Sequence, residues 1–118
     1  MSPKAEFEEV IAAIQGFRIP NDTEAAMQKT IQQILSLARI SHAREVVLNT
    51  EDRIDFMVGT IGIECKIAGT FSSVAEQVGR YLQNSSVEGL VLVTSRASHS
   101  RICYDCGKLF RVLVVGSF

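Results

Sequence analysis

The stretch Arg53-Ile-Asp-Phe-Met-Val-Gly-Thr-Ile-Gly-Ile-Glu-Cys-Lys66 decides the fold. Two apolar runs rich in Val and Ile flank Gly59-Thr60, the pattern of two strands joined by a two-residue turn. Glycine at the first turn position supplies the positive φ of a type II′ hairpin. That turn fixes the register. Val58 stands opposite Ile61, Phe56 opposite Ile63 and Ile54 opposite Cys65, which makes one apolar face. On the other face Asp55 stands across from Glu64, and Arg53 across from Lys66. Cβ atoms of such pairs lie roughly 4.5–5.5 Å apart, and like charges there are destabilising. Two facing carboxylates therefore need a shared proton, a neighbouring cation or a hard divalent metal between them. Lys66 projects from the same face as Glu64, two residues on. The bland reading is a solvated strand face, because alternation is the default of half-buried strands. A paired carboxylate register is less expected from chance.

Upstream of the hairpin, Phe7, Val10, Ile11, Ile14 and Phe17 recur at helical spacing and predict a short amphipathic helix over residues 5–16. Gly16 and Pro20 close it. Asn21 or Asp22 can cap a second helix over 23–38, with Met27, Ile31, Ile34, Leu35 and Ala38 on its apolar face. Glu24 lies on that inner stripe, so it reads either as a first-turn residue favoured by the helix dipole or as a carboxylate with a buried partner. Glu45–Asn49 adds a strand ahead of Arg53–Val58 and Ile61–Ile67. Downstream come a helix over 71–84, a strand at Gly89–Thr94, a polar stretch from Ser95 to Lys108 and a strand at Leu109–Val115. The order α-α-β-β-β-α-β-β describes an α/β fold, a sheet with helices on its faces.

The chain has 118 residues, 47% apolar and 21% charged, which suits one domain with one buried core and argues against disorder. Its longest apolar runs are too short to cross a bilayer, and Met1–Glu6 lacks the apolar core of a secretory signal. Three cysteines, an odd count, argue against a secreted disulfide framework. The expectation is an intracellular, cytoplasmic domain with no membrane partner. Net charge is −1, yet the halves differ: residues 1–64 carry six Lys/Arg against ten Asp/Glu, and residues 65–118 carry six against three. That asymmetry suits an acidic site beside a basic surface.

Asp55 followed by Glu64-Cys65-Lys66 resembles the signature of the PD-(D/E)XK nuclease superfamily, in which an acidic residue on one strand precedes a (D/E)-x-K triplet on the next. A helix carrying a Glu usually comes first, and Glu24 is the matching position. The later helix contains Gln77-Val-Gly-Arg-Tyr81, which looks like the QxxxY element of the RecB-type branch. The likeness spans about residues 23–94. Ile54 stands where many members have Pro. The resemblance implies a restriction-endonuclease-like core and a metal-dependent deoxyribonuclease. Asp55, Glu64 and the Cys65 carbonyl would hold Mg²⁺ or Mn²⁺, with Glu24 joining directly or through water. Lys66 would assist the attacking water, and Gln77 and Tyr81 would position the phosphate or that water. A branched-DNA resolvase and a RecB-like nuclease are both open within the class, and Gln77/Tyr81 tilts toward the latter. A homodimer is implied, since so small a domain does not grip both strands of a duplex alone.

Arg80, Arg96 and Arg101, in the basic half, are the candidate nucleic-acid contacts, a sequence-independent role toward phosphates. Scattered basic surface residues are the bland account. Cys103-Tyr-Asp-Cys106-Gly-Lys has the form of a zinc knuckle, but structural zinc takes four ligands. His99 offers a third, and Cys65, His42 or a second subunit would have to supply the fourth. Two reduced thiols in a loop is the favoured reading. The rival to a nuclease is a non-catalytic nucleic-acid-binding or assembly module, stabilised by zinc at Cys103 and Cys106.

Overall fold

The computed structural model describes residues 1–116. Helix α1 (Pro3–Gln15) starts where Ser2 accepts the Ala5 N–H at 3.1 Å, with Pro3 in the first turn, where its missing N–H costs nothing. Helix α2 (Glu24–Leu37) is capped by Thr23, which accepts the Ala26 N–H at 3.0 Å, rather than by Asn21 or Asp22. Strands β1 (Ala43–Val47), β2 (Arg53–Val58) and β3 (Ile61–Lys66) follow, then helix α3 (Phe71–Gln83), strand β4 (Gly89–Thr94), a single-turn 3₁₀ helix (Ala97–Arg101) and strand β5 (Leu109–Val114).

The strands form one five-stranded mixed sheet in chain order. β1, β2 and β3 are antiparallel neighbours, while β3, β4 and β5 run parallel. Helices α1 and α2 cover one face, packing Phe7, Ile14, Met27, Ile31 and Leu35 on Phe56, Ile61, Ile63, Cys65 and Val91. Helix α3 covers the other, packing Val74, Val78, Tyr81 and Leu82 on Leu90, Leu92, Ile54 and Met57. Over the described residues the protein is thus an α/β fold of five strands and three α-helices. No helix among the described residues is long and apolar enough to cross a membrane.

β1 lies two residues earlier than its sequence signal. Asn49 is taken by the turn instead, where its side-chain oxygen accepts the Glu51 and Asp52 N–H groups at 2.8 and 2.9 Å. Asparagine bonding its own backbone two or three residues on is a turn former, and that preference ends the strand. The hairpin turn has the expected form at Gly59, with φ +58. Thr60 is not among the residues of positive φ, which separates type II′ from type I′.

Candidate functional site

The hairpin register holds near the turn and then gives way. Val58 pairs with Ile61, Met57 with Gly62 and Phe56 with Ile63, and there the β2–β3 ladder stops. Ile54 does not face Cys65. It belongs to the α3 side of the sheet with Met57, whereas Phe56, Val58 and Cys65 belong to the α1/α2 side. Strict alternation would put Ile54 with Phe56, so the strand changes face at Asp55. The disturbance extends to β1. Glu45, between Arg44 and Val46 and thus level with Asp55, has φ +53, a left-handed conformation rare for such a residue.

Side chains take over where the ladder ends. The Asp55 N–H donates to Glu64 Oε1 at 3.1 Å, and the Cys65 N–H donates to Asp55 Oδ2 at 2.8 Å. Each carboxylate satisfies a backbone group of the opposite strand, and both are buried, Asp55 8% and Glu64 3% exposed. From α3, the fully buried Tyr81 brings its hydroxyl 3.1 Å from Glu64 Oε2 and 3.2 Å from the Arg53 carbonyl. Its single proton serves one of these at a time. Gln77, one turn earlier on the helix, donates its side-chain amide to the Tyr81 oxygen at 2.8 Å. The half-buried Lys66 ammonium lies 3.6 Å from Glu64 Oε2. Asp55, Glu64, Lys66, Gln77 and Tyr81 therefore converge beside the diverging ends of β2 and β3.

The electrostatics follow from that burial. Glu64 is pushed up to about 8, first by loss of water and then by the Asp55 charge, against the pull of Lys66, the Asp55 N–H and Tyr81. Burial also raises Asp55, opposed by the Cys65 N–H and reinforced by the negative charges of Glu24 and Glu45. Tyr81 is driven upward by burial and by Glu64, so it stays a neutral donor. Burial and the two carboxylates likewise raise Cys65, whose thiol is enclosed in the α1/α2 core and stays protonated.

Two carboxylates that both resist ionising form a site that gains from a cation. The donors are hard oxygens, the chemistry of Mg²⁺ or Mn²⁺, which keep several waters and need few protein ligands. Among the described residues no three His, Cys, Asp or Glu side chains gather closely enough to hold a metal ion. Glu24, half-buried at the start of α2, is thus felt by Asp55 as charge but does not complete a third ligand.

The other candidates are placed apart. Arg80 is engaged by the buried Asp52, its Nε and Nη2 lying 3.1 and 3.0 Å from Asp52 Oδ1. This pair ties α3 to the β1–β2 turn, and no periodic pattern of residues marks it. Arg96 and Arg101 are exposed and bracket the 3₁₀ helix after β4. That is the end of the sheet where Thr94 pairs with Lys66 and the Ser95 N–H bonds the Lys66 carbonyl at 3.1 Å. Cys103 and Cys106 are exposed on the segment leading to β5. His99, the third zinc ligand the spacing offered, is fully buried, with Nδ1 2.6 Å from Thr94 Oγ1 and Nε2 2.9 Å from the Gly69 carbonyl. Both ring nitrogens are occupied, so His99 offers no lone pair to zinc. Glu45 went unnoticed in the sequence, because the β1–β2 register that sets it level with Asp55 carries no local signal. Comparison with protein-family models, with curated proteins and with solved structures finds no match to this chain.

Proposed function

We propose that this protein is a metal-dependent nuclease of the PD-(D/E)XK type, hydrolysing phosphodiester bonds in DNA on a restriction-endonuclease-like core. The observation that carries the reading is the exchange of Asp55 and Glu64 across the diverging ends of β2 and β3, with Lys66 at 3.6 Å and Tyr81 at 3.1 Å from the same Glu64 oxygen. The mixed sheet with α3 crossing between parallel β3 and β4 accords with it.

Asp55 and Glu64 would hold Mg²⁺ or Mn²⁺, which when bound supplies a Lewis acid for the phosphate and lowers the pKa of water. The rest falls to the chain. The two backbone N–H groups and the Tyr81 hydroxyl fix the carboxylates in one orientation, so none of that ordering is left for the moment of reaction. Gln77 holds the Tyr81 hydroxyl from behind. Lys66 orients the attacking water by donating from its ammonium, and offers the same charge to the phosphoryl oxygens as negative charge builds there. Arg96 and Arg101 supply phosphate contacts at the same end of the sheet.

The test is cleavage of supercoiled, linear, single-stranded and four-way-junction DNA, and of RNA, with Mg²⁺, Mn²⁺ or EDTA. Cutting should require metal and be lost in Asp55→Ala and Lys66→Ala, with circular dichroism unchanged. Cutting retained in either variant removes these residues from the chemistry. No cutting of any substrate leaves a non-catalytic binding module.

A further inference from the structure

Among the described residues β5 is an edge strand, and it lacks the features that keep an edge from pairing. Edges are usually blunted by charge, proline, bulges or shortness. β1, at the other edge, is protected in this way: five residues long, it carries Arg44 and Glu45 at its middle, with Glu45 in the left-handed region. β5 is six residues, Leu109-Phe-Arg-Val-Leu-Val114, with one charge and no positive φ.

Which of its backbone groups are free follows from the ladder with β4. The Leu109 N–H donates to the Glu88 carbonyl at 3.2 Å and the Val115 N–H to the Thr94 carbonyl at 2.8 Å. In a parallel pair alternate residues turn both backbone groups toward the same neighbour. Leu109, Arg111, Leu113 and Val115 therefore face β4, while Phe110, Val112 and Val114 present N–H and C=O outward. No described residue bonds those outward groups.

We propose that this edge binds the β5 edge of a second copy of the chain, antiparallel, across a two-fold axis at Val112. A two-fold perpendicular to a sheet sets one residue opposite itself. At Val112 the pairs are Val112 with Val112 and Phe110 with Val114 on both sides, all three with backbone groups turned outward, which closes roughly six hydrogen bonds. An axis at Arg111 closes roughly four within the strand and sets two arginines face to face, a destabilising arrangement. With the axis at Val112, Arg111 lies beside Leu113 instead, and Leu109 beside Val115. Leu109, Leu113 and Val115 all belong to the face that α1 and α2 cover. There, a groove of about 370 Å³ runs along Val112–Gly116 past Phe17 and Ile19, with Phe17 51% exposed. It receives Leu109 of the second copy.

The test is sedimentation equilibrium of the full chain over about a hundredfold range of concentration, joined to residue-resolved amide exchange. The wild type should reach twice its 13.0 kDa chain mass. The Phe110, Val112 and Val114 amides should be protected in the dimer and exchange freely on dilution, while those of Arg111 and Leu113 stay protected throughout. Val112→Pro removes only an outward N–H and leaves the β4 ladder intact, which edge strands tolerate. It should raise the dimer dissociation constant by about a hundredfold or more. A single-chain mass throughout overturns the proposal. So does a dimer whose outward amides exchange freely, or one that Val112→Pro leaves unchanged. If that variant fails to fold, the wild-type exchange pattern still decides. Both readouts are independent of catalysis.

Discussion

Raising the pH from 5 to 8 without metal should weaken the fold, and Glu64 sets the size of the loss. In the unfolded chain its carboxyl ionises near the ordinary 4.5, whereas in the folded protein it holds its proton up to about 8. Below pH 4.5 both states are protonated and the fold carries no penalty. Above it the unfolded state alone gains charge, so stability falls by about 1.4 kcal/mol per pH unit until the folded carboxyl ionises as well. From pH 5 to 8 that amounts to about 4 kcal/mol, a large share of the roughly 5–15 kcal/mol that stabilises a domain. Asp55, also raised, acts in the same direction. Glu64→Gln keeps an oxygen for the Asp55 N–H but never ionises. In EDTA it should match the wild type near pH 5 and exceed it by about 2–4 kcal/mol at pH 8. Mg²⁺ or Mn²⁺ at pH 8 should recover the wild type by mass action and leave the variant unmoved. Urea unfolding followed by circular dichroism at each pH measures all of this. Wild-type and Glu64→Gln curves that run parallel across pH 5–8 would refute the reasoning.

Tyr81→Phe deletes a buried hydroxyl that serves Glu64 and receives Gln77, and should cost about 1–3 kcal/mol in urea unfolding. Because that hydrogen bond pulls Glu64 downward, its loss should also move the pH at which Mn²⁺ binds to higher values; an unmoved binding profile would separate Tyr81 from the carboxylates. Arg80→Ala strands the buried Asp52, but Arg80 is 41% exposed and water replaces part of the pairing, so the loss should be about 1–2 kcal/mol. Mn²⁺ affinity should be unchanged in that variant, which calorimetry would check.

The sequence made the element order legible because each element carries its own period: Phe7, Val10, Ile11 and Ile14 every three or four residues for α1, and the Val/Ile runs about Gly59-Thr60 for the hairpin. All four of those α1 residues are buried. What escaped were local hydrogen bonds with no period. Asn49 ends β1 through its side chain, and the 3₁₀ turn at Ala97–Arg101 is too short to repeat anything. The site was half legible. Asp55, Glu64, Lys66, Gln77 and Tyr81 were legible as a set, and they do converge. The way they converge was not, since a regular hairpin would carry its pairing on to Ile54 and Cys65.

Gly62 leaves room for that irregularity. A Cβ there would collide with the tip of the Ile54 side chain and stand 3.1 Å from Leu90, so the glycine provides the space that Ile54 fills on the α3 face. Where Ile54 crosses, the β2–β3 pairing has ended, and the N–H groups of Asp55 and Cys65 are met by side chains rather than by that ladder. A buried backbone group left unpaired costs about 1–3 kcal/mol, and a buried carboxylate without donors costs more. Each deficit answers the other: Glu64 accepts from Asp55, and Asp55 accepts from Cys65. Hydrogen bonds settle the polar groups but not the charge. Lys66 brings one ammonium to two carboxylates, and the remainder is met at neutral pH by a proton on Glu64. A divalent cation meets it better, because it neutralises both groups at once and releases that proton. The same divergence that breaks the hairpin thus builds a place where a divalent cation is favoured.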